Sequence, residues 1–363
     1  MTAAPWLSTG RLAVLGTGFA LPGDPVTSEA LIGAMTAHFG LTKSRGAHAL
    51  AQRLRIETRH FARPFRAEAE DPRAGQSNTK LAAKAVRGAL DQAGLCPSAL
   101  GYLIAHTATP AHVLPGNVGF VADELDYHGP HIELRQACTG FANALMIAFG
   151  LLQQPGARPV AIVGSDTGSL IFDPRRAAVD PSQLVNFLQM GDGAAAIILA
   201  PARSGGAHIH SAWYGALGVG RAPGLMIGRG QPADIRHDYA RIAQDGAVLF
   251  EADVAAADRH GLALHDADMI IPHQTSGRIG TQIASHFGIC ADTVFVNAHR
   301  VGNTGSAAIW LALAQLRVQP TPAPNRVLVL GAEATKFMYG GFAYQRDGSA
   351  QPPRDPVAPS SKP

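Results

Sequence analysis

The chain carries one pattern twice. "LIAHTAT" (103–109) resembles "IIPHQTS" (270–276), and "RPVAIVGSDT" (158–167) resembles "NRVLVLGAEA" (325–334). His106 and His273 stand 167 positions apart, as do Gly164 and Gly331. The same step from Cys138 reaches position 305, inside "VGNTGSAAIWLALAQL" (301–316). Both places are small-residue turns that open an apolar helix. A fixed offset of this length marks a duplicated unit. It points to two similar halves, 1–200 and 201–347, with the boundary near the glycine-rich bridge "PARSGGA" (201–207). The stretch 348–363 is rich in Pro and Ser and has little to bury, so a flexible tail is expected there.

Within each half, strands and helices alternate. "RLAVLGTG" (11–18) reads as a strand with a glycine exit, and "LGYLIAHTAT" (100–109) and "RPVAIVGSDT" as buried strands. "NTKLAAKAVRGALDQAGL" (78–95) has helical spacing, an Asn start and a Gly stop. This order predicts an α/β layered fold. With 363 residues, 47% hydrophobic and 16% charged, the chain has enough apolar surface for two packed units.

Several function classes drop out. Net charge is +3 with no basic run, which argues against nucleic acid. Cys96, Cys138 and Cys290 are widely spaced and form no CxxC pair, so neither a disulfide framework nor a zinc knuckle is expected, and a cytoplasmic setting fits. The longest strongly apolar stretch, 141–152, is shorter than the roughly 20 residues that span a bilayer, and no signal-peptide pattern opens the chain. "HIH" (208–210) has no third ligand at recognisable spacing, so no metal is expected. "GTG" (16–18) lacks the third glycine of a dinucleotide fingerprint, and no cofactor is implied.

Chemistry concentrates in three segments: "QACTGF" with Cys138, "IIPHQTSGRI" with His273 and "RVGNTGSAA" with Asn303. His273 and Asn303 fall at strand ends that lead into helices, where α/β folds gather functional groups. A buried cysteine is usually a packing residue. At a helix start, however, the dipole favours a thiolate nucleophile, and Thr139 and Gly140 let backbone N–H groups approach a reacting carbonyl. Cys96 and Cys290, in helix-to-strand connections, are expected to be packing residues. His106, the repeat counterpart of His273, is expected to hold a structural hydrogen bond.

Cys, His and Asn in this order, with "GDGAAAIILA" (191–200) and "ATPAHVLPGN" (108–117), resemble the β-ketoacyl-acyl-carrier-protein synthase III family of the thiolase superfamily. The resemblance runs from "GTGFALP" to "YGGFAY" (339–344). It implies a five-layered αβαβα sandwich of two duplicated halves, working as a homodimer. Cys138 is then the acylated nucleophile. His273 and Asn303 stabilise the enolate formed when a malonyl thioester loses carbon dioxide. The oxyanion hole implied is the N–H groups of Cys138 and Gly340, although this chain has Tyr339 where the family's glycine run begins. Leu114, Arg278 and Phe342 are implied substrate-binding positions, with Arg278 at the entrance used by coenzyme A or acyl carrier protein.

The implied reaction is acyl transfer from acyl-CoA followed by decarboxylative Claisen condensation with malonyl-ACP or malonyl-CoA, giving a β-ketoacyl thioester. Fatty-acid initiation and a specialised lipid or polyketide pathway both fit. A head-to-head acyl-condensing branch carries a glutamate where this chain has Leu114, and leucine cannot remove an α-proton. Ester- or amide-forming relatives often lack the Asn, and a non-enzymatic scaffold would not need the triad. The segment 169–190 is longer than the family usually shows before "GDG" and is expected to reshape the acyl tunnel.

Overall fold

The computed structural model describes residues 5–65, 77–202, 206–228, 235–319 and 324–346. It opens with one long strand, β1 (Trp6–Ala20). The "GTG" expected to end this strand lies inside it. A Cβ on Gly16 or Gly18 would run into the backbone of the helix α3 (Asn78–Ala93), so these glycines let helix and strand meet closely. That helix starts one residue earlier than its Asn suggests. Ser77 is the cap, its hydroxyl accepting the Lys80 N–H, and Gly94 stops the helix with φ 66.

Between β1 and α3 lie β2 (Val26–Thr27), α1 (Ser28–His38), α2 (Ser44–Leu54) and β3 (Thr58–Arg59). The first half continues with β4 (Tyr102–His106), α4 (Asn117–Leu125), β5 (His131–Leu134), α5 (Gly140–Leu152) and β6 (Val160–Asp166). The long segment follows as three helices, α6 (Gly168–Ile171), α7 (Pro174–Val179) and α8 (Pro181–Gln189), before β7 (Gly193–Pro201). The second half holds β8 (Ala207–Ala216), β9 (Leu225–Ile227), β10 (Ile235–His237), α9 (Tyr239–Arg259), β11 (Met269–Pro272) and α10 (Ile279–Phe287). It ends with α11 (Ala298–Val301), α12 (Ala308–Arg317), β12 (Arg326–Glu333) and β13 (Met338–Arg346). The tail 348–363 lies outside the described residues.

Nine strands form one sheet in the order β11-β12-β13-β8-β1-β7-β6-β4-β5. The halves join where β1 pairs antiparallel with β8. Helix α5 touches β4, β6 and β7 of its own half and β8 and β13 of the other, while α12 touches β1, β6, β7 and β11. The two helices therefore form the middle layer. Helices α3 and α4 cover the first half's strands, and α9 and α10 the second's. This is the five-layered αβαβα arrangement. A helix buried between the two halves of this sheet has no polar face to keep, which is why "GFANALMIAFGLL" is apolar nearly all round. Phe141, Phe149, Trp310, Leu313 and Phe342 fill this central core.

Helices α1, α2, α7 and α8 share a separate small core of Leu31, Met35, Phe187 and Leu188. The long segment is thus a packed cap, and its last helix runs directly into the site. Cys96 and Cys290 do sit in connections, but both are exposed, not packed. Each directly precedes a short 3-10 turn at the surface. His106 is fully buried, and the Trp310 indole N–H donates to its Nε2 at 3.1 Å. Of the "HIH" pair, His208 contacts the Arg11 guanidinium at 3.2 Å.

Candidate active site

Cys138 precedes Thr139, the residue from which α5 starts. Gly140 must lack a side chain because a Cβ there would lie 2.6 Å from His106 Nδ1. The buried imidazole and the helix start are thereby locked together. The Thr139 N–H at this helix start is taken by a side chain rather than left for the sulfur. Thr139 N–H donates to Glu333 Oε2 at 2.9 Å, and the Thr139 hydroxyl donates to the same oxygen at 2.7 Å. Burial, and then the neighbouring carboxylates Glu333 and Asp166, push the Cys138 thiol well above its ordinary value. The thiolate expected from the helix start is therefore opposed here, first by burial and then by both carboxylates.

His273 follows β11. Its N–H donates to Leu330 O at 2.7 Å, which extends the β11–β12 pairing by one residue. Its ring is buried, and burial lowers its pKa to about 4, so it is neutral at ordinary pH. Nδ1 is buried without a hydrogen-bond partner among the described residues. Gln274, the next residue, ties this loop to the following one. Its Oε1 accepts Asn297 and Ala298 N–H at 2.8 and 3.0 Å, and its Nε2 donates to Phe295 O at 3.0 Å.

Asn303 is clamped by the cap. Its N–H donates to Gln189 O at 2.9 Å, and its carbonyl accepts Gly191 N–H at 3.0 Å. Its side-chain Oδ1 accepts Gly305 N–H at 3.0 Å. The amide NH2 is then the group left to donate into the site.

Cys138, His273 and Asn303 line one cavity of about 400 Å³. Leu225, Ile242, Leu249, Phe250, Ile283 and Phe287 supply much of its apolar wall, between α9 and α10. Among the described residues, none that lines it is Lys or Arg; Glu333 and Asp245 are the carboxylates. A neutral imidazole and a carboxamide beside a thiol, with an apolar recess, suit acyl transfer and stabilisation of an enolate oxygen.

The other sequence-derived positions fall elsewhere. Gly340 is inside β13, paired with Gly331 on one side and Tyr214 on the other. A Cβ there would lie 2.8 Å from the Ala142 Cβ, so this glycine clears room for α5. It is absent from the cavity lining, where Ala332, Glu333, Ala334 and Thr335 approach instead. The oxyanion assignment of Gly340 is corrected on that ground. Phe342 is a core residue, stacked on Trp310 with centroids 5.5 Å apart, and does not line the cavity. Leu114 is 87% exposed on its loop. Arg278 is exposed where α10 begins, between the cavity-lining Thr275 and Ile279. Gln189, Gln274 and Glu333 were not singled out from the sequence. Only Glu333 left a signal there, since it stands 167 positions after Asp166.

Residues 132–218 match the family model for 3-oxoacyl-[acyl-carrier-protein] synthase III, and residues 257–345 match the model for its C-terminal part. The chain is 30% identical over 285 residues to β-ketoacyl-[acyl-carrier-protein] synthase III of Oleidesulfovibrio alaskensis, covering 73% of this chain and 83% of that one. Among solved structures, a tetronic acid condensing enzyme superposes with TM-score 0.80 at 26% identity, covering 92% of this chain and 99% of that one. The synthase III of Pseudomonas aeruginosa has the same fold, with TM-score 0.75 at 23% identity over 94% of this chain and all of that one (100%).

Proposed function

The chain belongs to the 3-oxoacyl-[acyl-carrier-protein] synthase III family of condensing enzymes, and from that premise we propose that it performs a two-step decarboxylative condensation on Cys138. In the first step the Cys138 sulfur attacks an acyl-CoA. A new thioester forms, the donor C–S bond breaks, and the thiol proton leaves on coenzyme A. In the second, a malonyl thioester on acyl carrier protein or coenzyme A loses carbon dioxide. Its enolate, held by His273 and Asn303, attacks the acyl group and frees Cys138. The observation that carries this reading is the convergence of Cys138, His273 and Asn303 on one cavity with an apolar wall. The Asn303 carboxamide favours condensation over simple ester or amide formation. Leu114 offers no base for condensing two acyl-CoA molecules head to head.

Intact-mass spectrometry after exposure to a panel of acyl-CoAs tests the first step. The native chain should gain one acyl group and Cys138→Ala none. Acylation on Cys96 or Cys290 with Cys138 unmodified would overturn the assignment. Likeness to a tetronic acid condensing enzyme and the three-helix cap support a specialised acyl substrate over a general initiating role. We further propose a homodimer joined along β5. That strand ends the sheet with Ile132 exposed, beside a loop whose Val113 and Leu114 are 71% and 87% exposed. Arg278 is proposed to meet the phosphate or acidic surface of the acyl carrier.

A further inference from the structure

Strands β6 and β12 are repeat counterparts, and each ends in a buried acid, Asp166 and Glu333. Each acid reaches across to the helix opening of the other half. Asp166 Oδ2 accepts the Ser306 N–H at 2.6 Å, and Glu333 Oε2 accepts the Thr139 N–H at 2.9 Å. Ser306 and Thr139 are themselves 167 positions apart, so the exchange of caps is a product of the duplication.

The two acids have diverged in what else they hold. Asp166 Oδ1 accepts from Thr107, Ala108 and Thr109, all in the loop after β4, and Asp166 is absent from the cavity lining. Glu333 lines the cavity together with Cys138. Its Oε1 accepts the Thr335 hydroxyl, and its Oε2 accepts the Thr139 hydroxyl. Behind Thr139, Gln136 Nε2 donates to the Thr139 oxygen at 2.9 Å, and Asn143 Nδ2 donates to Gln136 Oε1 at 2.7 Å. A buried polar chain thus ends on Glu333 at the nucleophile turn.

We propose that Glu333 is the positioning residue of that turn: it fixes Thr139 by both N–H and hydroxyl, and so sets a carboxylate beside the Cys138 sulfur. This deepens the reading of Cys138 as the acylated nucleophile and rests on it. The consequence is a resting thiol guarded against stray alkylation and oxidation, because a like charge opposes ionisation of the sulfur. The titratable groups that surround the turn are Glu333 from β12, Asp166 from β6, His273 after β11, His106 from β4 and Tyr214 from β8 through Gln136. Burial holds both imidazoles neutral and is itself the largest cause of the raised thiol; Glu333, then Asp166, are the charges that add to it.

The test uses the full chain, iodoacetamide as the probe and no acyl donor, so it does not depend on the condensation reaction. Alkylation of the Cys138 peptide is followed by mass spectrometry from pH 6 to 10. Glu333→Gln keeps an oxygen that accepts from Thr139 and removes the charge. Its alkylation midpoint should move to lower pH by about one unit, which means about tenfold faster labelling near neutral pH. The exposed Cys96 and Cys290 peptides in the same digest should not change. Glu333→Ala, which loses both charge and anchor, should show the same lowered midpoint together with slower acylation by acyl-CoA. Thr139→Ala leaves the carboxylate in place and should keep the native midpoint. An unchanged midpoint in both Glu333 variants reduces the residue to packing and overturns the proposal. A failure of acylation with every acyl-CoA would instead count against the condensing reaction while leaving the alkylation profile intact.

Discussion

Cys138, His273 and Asn303, the side chains proposed to act together, differ in what their surroundings do to them. Burial raises the Cys138 thiol and lowers the His273 imidazole to about 4, so both are uncharged at neutral pH. An uncharged His273 can still donate or accept one hydrogen bond, which is what enolate stabilisation asks of it. His273→Ala and Asn303→Ala should therefore retain acylation of Cys138 and lose malonyl decarboxylation by about 10²–10³. Release of labelled carbon dioxide measures this, and near-native rates in both variants would refute the assignment. The rate should also show no His273-dependent break near pH 6.5, since the ring ionises only near 4. A break there that vanished in His273→Asn would contradict the neutral imidazole. At this scale the residue types were readable in the sequence. What raises the Cys138 thiol was not, because burial comes first and then Glu333, 195 positions away in the chain.

Among the elements, the cap helices have the most direct bearing on chemistry. Helix α8 ends where Gln189 and Gly191 grip the Asn303 backbone. Gly302 makes this fit: it has φ 70, and a Cβ on it would lie 2.9 Å from Gly191 N and Met190 O. Gly302→Ala should cost about 1–3 kcal/mol of stability through backbone strain and push α8 away from Asn303. Condensation should then fall more than acylation. Equal losses in the two half-reactions, or no loss at all, would show that the clamp does not position Asn303. Sequence periodicity marked α3, β4 and β6 within a few residues, because each contains its own packing pattern. It misread "GTG" as a strand exit. What those glycines accommodate is the backbone of α3, which the local pattern does not contain.

For the whole molecule, acid is the revealing variable. Burial lowers His106 to about 3, well below the 6.5 of a solvated imidazole. Its neutral Nε2 accepts from Trp310, joining β4 to the central helix α12. The folded pKa lies below the unfolded one, so the unfolded chain takes up the proton first. The stability from keeping this ring neutral is full above about 6.5 and declines as pH falls toward 3. Asp192 has the opposite sign. Burial raises it from 3.8 to about 6, so its contribution is lost as pH rises through that range. The advantage in melting temperature of the native chain over His106→Gln should therefore narrow between pH 7 and 4.5, and a widening gap would refute the buried neutral ring. The duplication and the placement of Cys138, His273 and Asn303 at helix and strand ends were written in the chain, since repeats and strand–turn–helix patterns are properties of short segments. Which of those ends share a cavity, and which acid faces the thiol, came from the packing of α5 and α12 between the two halves. Burial there sets the charge of each group and the partner that each helix terminus meets, and no short segment of sequence carries either.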